Sequence, residues 1–239
     1  MREFVINAND SGQRLDKFIT KTLKGLPVSL MYKFIRTKRI KVNGKRAEQK
    51  QMLVTGDTVQ MYIPDEFFGD AAENAHDYSK VKTVPDIIYE DENIILLDKK
   101  VGLLSHPDEG EYVDTLITRV ERYLYEKGEY DPKGENSFAP ALANRIDRNT
   151  GGIVIAAKNA ESLRILNEKL KQRELHKLYL CVVIGTPKQK EGILKDYLQK
   201  NEKQKELACL YLLTDRFDCK AMADAMRDCE VGIGEIMRA

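Results

Sequence analysis

The stretch Asn144-Arg145-Ile146-Asp147-Arg148-Asn149-Thr150-Gly151-Gly152 places one carboxylate between two arginines. A hydroxyl and two glycines follow, and the chain then runs into the apolar Ile153-Val154-Ile155-Ala156-Ala157. Nearby positive charge favours the charged form of a carboxyl group, so Asp147 is expected to stay ionised between Arg145 and Arg148. Glycines permit a tight turn or the close approach of a ligand. An ionised Asp at the mouth of a strand suits nucleophilic or acid/base chemistry on a polyanionic substrate. The same pattern also fits a structural ion pair, which is the commoner use of an Asp flanked by arginines. These residues alone leave both readings open.

Around this stretch the periodicity is mixed. Residues 2–6 alternate as a strand, and Asp10-Ser11-Gly12 is a turn that opens a helix with Leu15, Phe18, Ile19 and Leu23 in phase. After Pro27, Ser29 is placed to cap a second short helix that buries Leu30, Phe34 and Ile35 and turns Lys33, Arg36 and Lys38 outward. Ile40 and Val42 alternate with Arg39 and Lys41, and Asn43-Gly44 is a strong hairpin signal. A strand is expected over 58–63 and a linker over 69–84. Ile87–Tyr89 and Ile94–Leu97 read as two strands joined by an acidic turn. Helices are expected over 113–126 and 160–170, with a polar loop over 128–139, a strand at Ile153–Ala157 and another at Leu178–Ile184.

The 239 residues suffice for one large domain or two smaller ones, and 32% charged with 42% hydrophobic residues is an ordinary soluble composition. The net charge of +1 is unevenly spread. Residues 1–68 hold 13 Lys and Arg against 7 Asp and Glu, a net +6, and the remainder is left at −5. A basic N-terminal module on a mildly acidic body points to a polyanionic partner for the first module.

Met1–Asp10 has no long apolar core, and runs such as Ile94–Leu97 are far too short to span a bilayer, so a cytoplasmic protein without membrane association is expected. Cys181, Cys209, Cys219 and Cys229 form no Cys-x-x-Cys pair, and His76, His106 and His176 are scattered. With no phosphate-binding loop or dinucleotide fingerprint either, neither a metal nor a nucleotide cofactor is expected.

Residues 1–68 resemble the small αL-motif RNA-binding domain named after ribosomal protein S-four. The likeness rests on Gln13-Arg14-Leu15-Asp16-Lys17-Phe18, Ser29–Lys38, Ile40-Lys41-Val42-Asn43-Gly44-Lys45 and Gly56-Asp57-Thr58-Val59. It implies an RNA-facing surface of Lys33, Arg36, Lys38, Arg39, Lys41, Lys45 and Arg46, a cluster suited to structured RNA read by shape and backbone.

Residues 85–200 are similar to the first half of an RluA/RluC/RluD-type pseudouridine synthase. Gly102-Leu103-Leu104-Ser105-His106-Pro107, Arg145-Ile146-Asp147-Arg148 with Thr150-Gly151-Gly152-Ile153, and Lys177-Leu178-Tyr179 match the family's motifs in its order. The fold implied is α+β: the small αL-motif domain, then an incomplete mixed or antiparallel sheet over 85–205, then an atypical tail over 206–239. The activity implied is isomerisation of uridine to pseudouridine in RNA without a cofactor, large-subunit rRNA being favoured over tRNA. The resemblance makes Asp147 the essential carboxylate and Tyr179 the ring that stacks on the target base. Arg145 is the side chain that helps displace the flipped nucleotide, and Arg148 a phosphate contact or loop brace.

Asn144 stands where the family has His, and Lys99-Lys100 where it has Lys-Pro. No third motif, a basic partner for the Asp, follows residue 200. The alternatives this leaves are a non-catalytic RNA-binding protein and a ribosome-associated chaperone. A monomer is expected.

Overall fold

The computed structural model describes residues 1–68, 78, 81, 84–108, 113–180, 197–201 and 206–210. Among the described residues two hydrophobic cores organise the chain, and no side chain belongs to both.

The first core is the N-terminal module. Strand β1 (Arg2–Val5) pairs antiparallel with β4 (Thr58–Met61), which pairs with β2 (Ile40–Val42), and β2 turns at Asn43-Gly44 into β3 (Lys45–Arg46). Helix α1 (Leu15–Thr22) and helix α2 (Val28–Arg36) pack Leu15, Phe18, Ile19, Met31, Phe34 and Ile35 onto Ile40, Val42, Val59 and Met61. Ser29, expected to cap α2, instead lies in its first turn. The cap is Pro27, whose carbonyl accepts the Leu30 and Met31 amides. Met31 takes the buried position beside Phe34, and Leu30 is only half-buried.

The second core begins with β5 (Ile87–Glu90) and β6 (Ile94–Lys99), an antiparallel hairpin as their patterning predicts. Its acidic turn is closed by the Asp91 carboxylate, which accepts the Asn93 and Ile94 amides. Strand β6 pairs with β8 (Gly152–Ala157), and β8 with β7 (Ala141–Leu142), giving the order β5-β6-β8-β7. Period-two alternation turns Ile95 and Leu97 of β6 and Val154 and Ala156 of β8 to one face. Leu116, Val120 and Leu124 of helix α3 (Leu116–Glu126) cover that face. Thr115 caps α3 through a reciprocal pair with Thr118, so the helix starts later than the expected residue 113.

Helix α4 (Ala160–Lys171), capped by Asn159, follows β8 directly, but its expected apolar row of Leu163, Leu166 and Leu170 is only half-buried. A further antiparallel hairpin joins β9 (Tyr197–Asn201) to β10 (Glu206–Leu210), in a stretch where the sequence pattern shows no strand pair. Residues 176–180 are irregular where the pattern predicts a strand from Leu178, and 181–184 lie outside the described residues. So does most of the expected linker, although Val81 is buried and Tyr78 packs on Tyr125. The architecture is α+β, and every strand pairing among the described residues is antiparallel. Among those residues no helix is long and apolar enough to cross a membrane.

Two carboxylates make stability depend on pH in opposite directions. Burial would raise the Glu90 carboxyl, but hydrogen bonds from Lys127, Lys158 and Tyr123 outweigh it and bring it down to about 2. Its contribution is present above the ordinary carboxyl range and is lost as pH falls towards 2. Burial raises Glu121 on α3 to about 7, with Lys24 opposing. Its contribution is complete below about pH 4.5 and is lost as pH rises through 7. Denaturant unfolding of Glu121→Gln is therefore expected to show a gain of up to about 3 kcal/mol at pH 8 and little gain at pH 4.5. An equal gain at both pH values would show that the Glu121 charge is not the cause.

Candidate active site and RNA-facing surface

The loop between β7 and β8 carries Asp147, and four interactions fix its path. Ile146 is buried in the second core, which anchors the loop one residue before Asp147. The Ile146 carbonyl accepts the buried Ser105 hydroxyl at 2.9 Å. The Asp147 carbonyl accepts the Thr150 amide at 3.1 Å and closes the turn. Arg148 and Gly102 exchange two bonds: the Gly102 amide donates to the Arg148 carbonyl at 2.8 Å, and Arg148 Nε donates to the Gly102 carbonyl at 3.1 Å. A Cβ on Gly151 would stand 3.3 Å from Val101 Cγ2 and 3.5 Å from the Lys99 carbonyl, so glycine is what lets the two loops close on one another.

Beneath both loops lies Lys99, fully buried at 0% exposure. Its ammonium donates to the carbonyls of Leu103 at 2.7 Å, Lys100 at 3.2 Å and Arg148 at 3.2 Å. A buried ammonium is tolerated only where its donors are matched. Here it joins the turn after β6 to the Asp147 loop. The motifs do not point to this role, although β6 parity signals it, since Lys99 shares a face with Ile95 and Leu97.

Asn144 takes part in the same scaffold. Its side-chain oxygen accepts the Ile155 amide at 2.9 Å, so Asn144 pins the loop to β8.

Asp147, Arg145 and Arg148 are exposed on this loop. Arg148 lines a cleft of about 330 Å³ with Lys100, Gly102, Asp114 and Arg119. Burial, and then the charge of Arg145, lower His106, which favours its neutral form. Tyr179 is half-buried against the core that holds Ile146, while its neighbour Leu178 is 94% exposed. The structure thus brings Tyr179 and the root of the Asp147 loop to one core. Among the described residues no group of His, Cys, Asp or Glu could hold a metal ion.

The basic residues expected to face RNA lie on α2, in the turn after it and on the β2–β3 hairpin. Lys33, Arg36, Lys38, Arg39, Lys45 and Arg46 are exposed and Lys41 is half-buried. Arg39 sits over the Phe34 ring and Lys41 over the Tyr62 ring. Lys41 and Arg46 stand directly opposite across the hairpin. Like charges so placed repel one another, and a bound anion would relieve the repulsion.

Comparison with known proteins fits this pair of modules. The RNA pseudouridylate synthase family pattern matches residues 93–221, and the S4 domain pattern matches residues 13–59. The chain belongs to the RNA pseudouridylate synthase family. An uncharacterized RNA pseudouridine synthase of Mycoplasma capricolum is 36% identical over 209 residues, which are 84% of this chain and 63% of that protein. Ribosomal large subunit pseudouridine synthase C of Escherichia coli is 32% identical over 206 residues, 83% of this chain and 60% of that protein. The chain thus spans about three fifths of the length of these relatives. The family match runs on past residue 206, and the β9–β10 hairpin crosses that point.

Two outcomes follow. Lys99→Met removes three hydrogen bonds from a buried site and is expected to cost roughly 2–4 kcal/mol, read as a lower denaturant midpoint. An unchanged midpoint would contradict the role given to Lys99. Charge reversal at Arg36 and Arg39 is expected to weaken RNA binding and to flatten its dependence on log salt by about one unit for each phosphate that is no longer neutralised. Unchanged affinity and slope would place the RNA surface elsewhere.

Proposed function

We propose that this chain isomerises specific uridines in RNA to pseudouridine, with Asp147 as the essential carboxylate and large-subunit rRNA as the substrate class. The observation that carries this reading is the fixed presentation of Asp147. Ile146, Ser105, Lys99 and Gly102 hold the backbone on both sides of it, and Asp147 is an exposed residue. Preorganised groups of this kind stabilise charge without reorganising during the reaction.

The reaction breaks the bond between N1 of the base and C1′ of the sugar, turns the base, and joins C5 to C1′. The proton leaves C5 and N1 gains one, so atoms and electrons balance without a redox partner. Breaking the glycosidic bond leaves an electron-poor sugar. Asp147 can capture or stabilise that sugar, or take a neighbouring proton.

A target base inside a stacked helix is out of reach, so it must flip out. Tyr179 then offers a ring for the base, Arg145 fills the space it leaves, and Arg148 meets backbone phosphate at the cleft beside Lys100. The module of residues 1–68 grips structured RNA through Lys33, Arg36, Lys38, Arg39, Lys41, Lys45 and Arg46. Residues from 85 onward form the catalytic body, and both act in the cytoplasm.

One observation favours a second reading, an RNA-binding protein that modifies nothing: the exposed basic side chains Lys33, Arg36, Lys38, Arg39, Lys45 and Arg46 all lie within the first module and need nothing from the body. Mapping pseudouridine by carbodiimide primer extension on rRNA and tRNA transcripts separates the two. The synthase reading expects a discrete modified uridine in rRNA, and a drop of roughly 10²–10³-fold or more for Asp147→Ala. Full activity in that variant would refute the assignment of Asp147, and an unmodified set of transcripts that still bind would favour the second reading.

A further inference from the structure

The expected polar loop at 128–139 does more than connect two elements. Asp10, in the turn before α1, is 0% exposed although it is a charged residue on a loop. Its carboxylate accepts Ser137 Oγ at 2.5 Å and Asn136 Nδ2 at 2.6 Å, both from the second module. Asn136 Nδ2 also donates to the Val5 carbonyl at 2.9 Å, and Gln13 Nε2 donates to Ser137 Oγ at 2.8 Å. Glu135 accepts Asn7 Nδ2 at 3.1 Å and Asn9 Nδ2 at 2.7 Å.

A second arm of the seam reaches α4. The Asn9 side-chain oxygen accepts the Ala160 amide at 3.1 Å, so the first module satisfies an N–H at the helix start that the helix itself cannot. Arg164 donates to the Ser11 carbonyl at 2.9 Å and lies against Gly12, where φ is +74° and a Cβ would meet the guanidinium at 3.5 Å.

Apolar packing does not hold this seam. The two cores share no side chain, and the junction contains a cavity of about 330 Å³ lined by Lys21, Lys24, Phe67, Glu121 and Ser137, among others. Polar interfaces between modules ordinarily permit relative motion. Here a buried carboxylate gathers short charge-assisted bonds, the stronger kind.

We propose that Asp10 is a positioning residue, the centre of a hydrogen-bonded latch that fixes the basic module at one angle to the Asp147 loop, so that one structured RNA is gripped at two points. The RNA part of this rests on the synthase reading above, and the latch itself does not. Once one module has bound, a rigid junction makes engagement of the second intramolecular. Loosening the junction lowers the effective concentration for that second step without touching the chemistry.

The test uses the full chain. Small-angle scattering without RNA is expected to show a larger radius of gyration for Asn136→Ala/Ser137→Ala, and a wild-type profile for Ser137→Thr, which keeps the hydroxyl. With substrate RNA, the double variant is expected to raise KM by roughly tenfold with kcat unchanged, and Ser137→Thr to restore KM. Asn9→Ala/Arg164→Ala opens the other arm and is read in the same way should the first double variant fail to fold. A wild-type scattering profile in the folded double variants overturns the latch. An opened profile with unchanged KM overturns its role in RNA binding. A wild-type chain that makes no pseudouridine defeats the synthase reading alone, because scattering still reads the latch.

Discussion

A single buried ammonium holds the candidate active site together. Lys99 ends β6 facing inward, where a strand of this parity would otherwise bury an aliphatic side chain, and it directs its donors to carbonyls from two loops. Removing this charge from water is unfavourable, and the matched carbonyls offset that penalty while giving two separate loops one fixed point. The Gly102–Arg148 exchange and the close passage at Gly151 depend on that spacing. Without the ammonium, the carbonyls of Leu103 and Arg148 would lose the donor they share.

This constraint also sets how charge is distributed around Asp147. Arg148 bonds the Gly102 carbonyl through Nε and lines the cleft beside Lys100, and Ile146 is sunk into the core. The backbone is therefore set by packing and by bonds to main-chain groups, which keeps the charged side chains of the loop on the surface, where an anionic substrate would meet them. The first module follows a parallel logic, with its basic side chains outward on α2 and the hairpin and its apolar ones beneath.

Much of this is legible in the sequence where local pattern and tertiary environment agree. The apolar runs Ile94–Leu97 and Ile153–Ala157 predict two strands, and they pair with each other. Asn43-Gly44 predicts the hairpin turn between β2 and β3. Pattern fails where a long-range partner decides the outcome. Pro27 rather than Ser29 caps α2 because the preceding chain already aims its carbonyl at the helix. Strands β9 and β10 carry weak individual signals and stabilise each other through pairing. Asp10 and Ser137 look like ordinary surface residues in sequence, since nothing local says that their partners lie far along the chain, and the parity of Lys99 turns it inward without naming its partner on the Asp147 loop. The motif order from Gly102 through Asp147 to Tyr179 is readable without the fold, but only the fold shows why the loop stays in place.

The central claim is that this chain moves the uracil from N1 to C5 attachment by means of Asp147. That chemistry must release the hydrogen carried on C5, so the most direct measurement is tritium release from rRNA transcripts containing uridine labelled at C5. The expected result is release into water in proportion to pseudouridine formed, and its near-complete loss in Asp147→Asn, a variant that keeps the size of the side chain. Tritium retained by RNA that the wild-type chain binds, or release that persists undiminished in Asp147→Asn, would contradict the account.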